Sequence, residues 1–262
     1  MEIKITRESR KYLRNRLKKL GIRYDNDRAM EELLRLIEPY KEKLPENFKL
    51  IVDKEDALNG HNNFITGNIS ISSKLLLEYL SGENTEFSGK CILECLGHEL
   101  GHYKALAPLP FFIISKNICK KLATPDELFR SRLVEVYCDH NALNFTGFDT
   151  ETHRMIMKEH LKSRKETKAD KTDFFHPTWR ERIKYIGMDF GENLIRQVAK
   201  DNKCLNEKLI SDQIEYYRTV KRNNGYIRKK DKILFISSFL FSIITILLII
   251  ALFYMPNLIE FV

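Results

Sequence analysis

Residues 98–102 read His-Glu-Leu-Gly-His, and this H-E-x-x-H pattern constrains the fold more than any other stretch of the 262-residue chain. Positions i and i+4 lie one above the other only on a helix, so both imidazoles reach one metal only if these residues are helical. The flanks agree. From Ser88 to Ala107 the apolar spacing predicts a helix, with Ser88 as its N-cap and Pro108 and Pro110 as its stop. On that helix Glu99 points beside the metal toward a bound water. Zinc lowers the pKa of such a water to about 7, and Glu99 is placed to take its proton. A chance pair of histidines on a core or exposed helix is the alternative that the five residues alone leave open.

A catalytic zinc takes three protein ligands and keeps an open fourth position. Thr124-Pro125-Asp126-Glu127 is a capping box with proline at the first helical position, and it opens a helix that runs to a stop at Gly147. That helix carries Glu135 and Asp139 on one face. Glu135 would complete a His2Glu set with His98 and His102 around one Zn2+ per chain. Asp139, a turn further on, would accept the second ring N–H of a ligand histidine and fix its tautomer. With Arg132 the same two acids also read as an ordinary charged stripe. The five cysteines, Cys91, Cys95, Cys119, Cys138 and Cys204, are odd in number and lack a secreted spacing, which suits a reducing compartment. Cys91 and Cys95 share a helical face with His98. They read as small core residues, because C-x-x-x-C is not a usual zinc spacing.

Elsewhere, Thr6 to Leu20 and Asp27 to Ile37 read as helices. Residues 48–53 alternate as a strand, and residues 62–66 and 69–72 flank Gly67-Asn68 as a two-residue hairpin. These three strands are all the β-structure expected. Residues 147–173 are expected to be a charged connection, followed by a short helix from about Pro177 to Gly187. From Arg196 to Lys232 eleven basic residues face five acidic ones, which predicts a charged helical stalk. Residues 233–254 hold no charge at all. Twenty-two residues at about 1.5 Å each cover roughly 33 Å, enough for a hydrocarbon core of about 30 Å, so a transmembrane anchor is expected. The apolar stretch 108–118 is too short to span and reads as core or as a loop that touches the membrane. The expected organisation is a zinc-binding domain with a basic N-terminal helix over 1–195, a basic stalk over 196–232, the anchor over 233–254 and a short translocated tail over 255–262.

Lysine and arginine number 44 against 36 aspartate and glutamate, a net charge of +8. A basic balance suits nucleic acid or an anionic membrane surface. The excess sits beside the apolar run, where anionic lipid accounts for it, so a lipid bilayer and no nucleic acid is the partner expected. Lys221, Arg222, Arg228, Lys229, Lys230 and Lys232 precede the run, and no lysine or arginine follows it, which places the domain on the cytoplasmic side.

Taken together, the motifs resemble a known family. HELGH, then Ser131-Arg132-x-x-Glu135-x-x-x-Asp139, then His176-Pro177 followed by Arg182-Ile183, is similar in order and spacing to the HtpX-like membrane zinc endopeptidases. That group includes the CAAX prenyl endopeptidases and the mitochondrial Oma-type proteases. The resemblance covers roughly residues 48–190. It implies a mostly helical α+β zincin-type fold with a small antiparallel sheet above the HELGH helix. It also implies a substrate peptide added to the sheet edge near Asn62, Asn63 and Phe64, which is β-augmentation. His176 would donate a hydrogen bond to the developing oxyanion, and Arg182 would orient His176 or the substrate. The expected activity is hydrolysis of peptide bonds in membrane or membrane-proximal proteins, with Glu99 as general base. A catalytically silent metal-binding scaffold and a DNA-associated zinc protease are the competing readings.

Overall fold

Ile3 and Ile5 alternate with Glu2 and Lys4, and these four residues form the first strand, β1 (Glu2–Ile5), of a computed structural model. It describes residues 1–55, 58–62, 68–82, 84–104, 124–163 and 176–222. The Thr6 hydroxyl accepts the Ser9 N–H and starts α1 (Arg7–Lys19), which buries Leu13 and Leu17. Asp25 caps α2 (Asn26–Ile37), whose buried stripe is Ala29, Leu33 and Ile37. This helical excursion returns the chain so that β2 (Lys49–Asp53) runs parallel to β1, with Glu2 opposite Lys49. Next come β3 (Gly60–Asn62) and β4 (Ile69–Ser72). β4 lies parallel to β2, and β3 pairs antiparallel with β4, Asn62 opposite Ile69.

The fold expectation is corrected at the sheet. The sheet is mixed, in the order β1-β2-β4-β3, because helices connect β1 to β2 and a crossover gives parallel pairing; only the β3–β4 pair is antiparallel. Among the described residues no helix is long and apolar enough to cross a membrane. The run 233–254 and the apolar stretch 108–118 lie outside those residues.

Two long helices build the rest around one close crossing. After α3 (Ser73–Ser81), α4 (Thr85–Lys104) carries HELGH, and α5 (Pro125–Thr146) packs across it. α5 starts at the Thr124–Glu127 capping box and ends at Gly147 in the left-handed region, φ 73°. The crossing depends on glycine. A Cβ on Gly97 would stand 2.8 Å from Ala142 Cα, and one on Gly101 2.7 Å from Cys138 Cα. Asn141 Nδ2 donates to the Gly97 carbonyl at 2.6 Å and braces the contact.

Residues 150–163, expected as connection, form α6 (Thr150–Ser163), followed by α7 (Trp179–Tyr185). The stretch read as a stalk folds back in part. α8 (Glu192–Asp201) and α9 (Glu207–Arg222) bury Leu194, Ile195, Val198, Ile210, Ile214 and Tyr217 with Phe129, Leu133 and Val136 of α5. Their charges lie on the opposite faces, so charge count alone misread them.

Candidate metal centre

His98 and His102 stand one turn apart on α4, with ring centroids 5.0 Å apart. The α4–α5 crossing brings Glu135 against them. His98 Nε2 lies 3.4 Å from Glu135 Oε2, and His102 Nε2 lies 3.6 Å from Oε1. His176, half-exposed just before the α7 capping box, places Nε2 3.7 Å from the same Oε1. Charge-assisted hydrogen bonds close to about 2.7–2.9 Å. Ligands bonded at about 2.1 Å around a tetrahedral ion stand about 3.4 Å from each other. The separations here are longer than such hydrogen bonds and lie near that ligand-to-ligand spacing. His98, His102 and Cys138 also bring one ligand atom each within 4.8 Å of one another, so this group could hold a metal ion. The sequence reading missed Cys138. Its signal was its place three residues after Glu135, on the face of α5 that meets Gly101.

Behind this layer Asp139 is 2% exposed and accepts from two sides. Its Oδ1 is 2.9 Å from His98 Nδ1, and its Oδ2 accepts Arg182 Nε–H at 2.9 Å. Arg182 is itself buried and pairs with Asp139, so it braces His98 through that carboxylate; it was expected to orient His176 or the substrate. Arg182 holds Asp139 well below the usual carboxylate range even though burial opposes ionisation. Burial would lower His98, yet its hydrogen bond to Asp139 and the neighbouring Glu135 carboxylate push its pKa up to about 10. Burial lowers His102 to about 4 against the attraction of Glu135. Glu135 is held below its ordinary value by His102 and His98 against the opposing effect of burial. A chelating Nε2 on His98 with Nδ1–H directed at Asp139 is the tautomer that metal-binding histidines adopt.

Glu99 faces a different way from the two histidines. It is 6% exposed, and burial raises its pKa to about 7 against the attraction of His98. A carboxylate near neutral pKa both accepts and returns a proton at working pH. Against it runs β3, one of the two edge strands of the sheet among the described residues. Gly60 makes that approach feasible, since a Cβ there would stand 3.1 Å from Glu99 Cγ and 2.5 Å from Cys95 Sγ. Asn62 belongs to this edge by its backbone pairing with Ile69. Asn63 and Phe64 lie outside the described residues.

His98, Glu99, His102, Glu135, Asp139, His176 and Arg182 thus come together at the α4–α5 crossing. Cys91 and Cys95 are buried free thiols, and burial raises both well above an ordinary thiol pKa. His140 turns away and packs on Phe190 at 5.4 Å. Compared with known proteins, the chain matches no family model, no curated protein and no solved structure.

Proposed function

We propose that this chain is a zinc-dependent metalloendopeptidase of the HtpX-like kind, with His98, His102 and Glu135 as the protein ligands. The observation that carries the reading is the Glu135 carboxylate bracketed at coordination-shell distances by the HELGH histidines, with Glu99 buried next to them. A zinc ion held there supplies Lewis acidity, activating a water and polarising a carbonyl. Glu99 accepts the proton of the attacking water and passes it to the leaving amine, a shuttle that a pKa of about 7 favours. Asp139, braced by Arg182, keeps His98 in its chelating tautomer. His176 stands at the open side and donates to the oxygen on which negative charge develops. The substrate is an extended peptide that adds to the outer side of the edge strand β3 and so crosses above Glu99.

Membrane attachment with the site facing the cytoplasm belongs to the proposal on sequence grounds. The charge-free run 233–254 follows six basic residues between Lys221 and Lys232. The test is terminal-peptide proteomics of membranes carrying the intact protein or its Glu99→Gln form. New protein termini should appear with the first and be missing with the second; identical sets would remove the protease reading.

A second reading has one observation in its favour. Cys138 beside His98 and His102 offers a fourth protein donor, and four protein ligands make a closed, structural zinc site. Loading Co2+ separates the two. A thiolate-to-cobalt absorption band that Cys138→Ala abolishes supports the closed site, whereas cobalt bound without that band supports the open one.

A further inference from the structure

One turn before His98 on α4 stands Glu94, 5% exposed. Facing it from α6 are His153, 0% exposed, and His160, 5% exposed. His153 Nε2 lies 3.4 Å from Glu94 Oε1, and His160 Nε2 lies 3.6 Å from Oε2. Imidazolium donating to carboxylate would close to about 2.7–2.9 Å. The observed separations again match the roughly 3.4 Å edge of a tetrahedron around a cation with bonds of about 2.1 Å.

A second observation points the same way. His153 is fully enclosed, yet neither of its ring nitrogens has a hydrogen-bond partner among the described residues. Leaving such a group unsatisfied costs about 1–3 kcal/mol, and native structures answer buried polar atoms with protein, water or an ion. Two imidazoles and a carboxylate are the donors that zinc and neighbouring divalent transition metals take.

We propose that Glu94, His153 and His160 form a second, structural site for a divalent transition-metal ion of the zinc type. It rests on residues separate from the first centre and does not depend on the protease reading. The site joins α4 to α6. On α6 the buried positions are His153, Ile156, Met157 and His160, so metal ligation takes over two of the four contacts that apolar side chains would make. Enclosure fits a structural role, with the ion taken up as the chain folds. The ion would also stand beside the arm that braces the first centre. Trp179 stacks on the His160 ring at 5.7 Å, and the Arg182 guanidinium lies 4.3 Å from the Trp179 ring centroid.

The test counts metal on the full-length protein prepared with Zn2+ and dialysed. Wild type should retain two equivalents, Glu94→Gln one, and His102→Ala the other one. His160→Gln is the second variant should Glu94→Gln fail to fold. On apo wild-type protein, the visible bands of tetrahedral Co2+ should grow until two equivalents are added. An unchanged metal count in both Glu94→Gln and His160→Gln would overturn the proposal and assign the cluster to water. A count lowered by Glu94→Gln and untouched by His102→Ala would keep this site and dismiss the first.

Discussion

Asp139→Asn preserves shape and removes one charge, so it isolates what the buried carboxylate does. In the native protein that carboxylate is 2% exposed between His98 Nδ1 and the guanidinium of Arg182, itself 8% exposed. Removing one partner of a buried pair leaves the other charge uncompensated, at a cost of about 3–5 kcal/mol. A domain of this size loses about 2–4 °C of Tm per kcal/mol, so thermal unfolding should move down by about 6–20 °C. A solvent-exposed pair would contribute about 0–1 kcal/mol, a shift under about 4 °C. Circular dichroism melts of wild type, Asp139→Asn, Arg182→Met and the double variant decide the matter. The double variant should be more stable than Asp139→Asn alone, because it removes the stranded cation as well. A shift below about 4 °C, or a double variant no more stable than the single one, would refute the reasoning. Zinc affinity of Asp139→Asn should also fall about 10–100-fold, since this carboxylate orients a ligand.

Gly101→Ala would put a methyl carbon 2.7 Å from Cys138 Cα, a backbone atom that cannot rotate aside. The helices must part at a cost of about 1–3 kcal/mol, and both Tm and zinc affinity should drop; an unchanged pair of values contradicts the close crossing. His176→Ala should keep its zinc and lose about a hundredfold or more in kcat, and a change confined to KM would remove it from the oxyanion role. Metal binding should release protons. His98, with a pKa raised to about 10, is protonated at pH 7 and must shed its proton to chelate, whereas His102, lowered to about 4, is already neutral. Zinc affinity should therefore rise about tenfold per pH unit around neutrality. Calorimetry in two buffers of different ionisation enthalpy should find about one proton released, and none would contradict the His98 assignment.

The parts of the fold that local chemistry dictates were legible in the chain. The Thr124–Glu127 capping box and the Gly147 stop gave α5 its limits, and HELGH could work only on a helix. The site was legible to the same depth, because i, i+4 spacing places His98 with His102 and Glu135 with Asp139. What crosses between elements was hidden. Arg182 finds Asp139 only after α7 docks, and Cys138 nears the histidines only because Gly101 lets α4 and α5 touch. α6 escaped notice because two of its four buried positions are histidines, so its periodicity does not register as apolar. β1 is only four residues long, and its partner β2 lies beyond two helices, a pairing that no local pattern announces.

The central claim is that Glu99 is the base and the histidines with Glu135 are the metal's ligands. It is tested most directly by measuring zinc content and peptide-bond cleavage on the same purified samples of wild type and Glu99→Gln. The account predicts equal zinc in both and cleavage in wild type alone, with turnover lowered by a hundredfold or more, on the order of a lost general base. Cleavage by Glu99→Gln at the wild-type rate, or loss of its zinc, would contradict it.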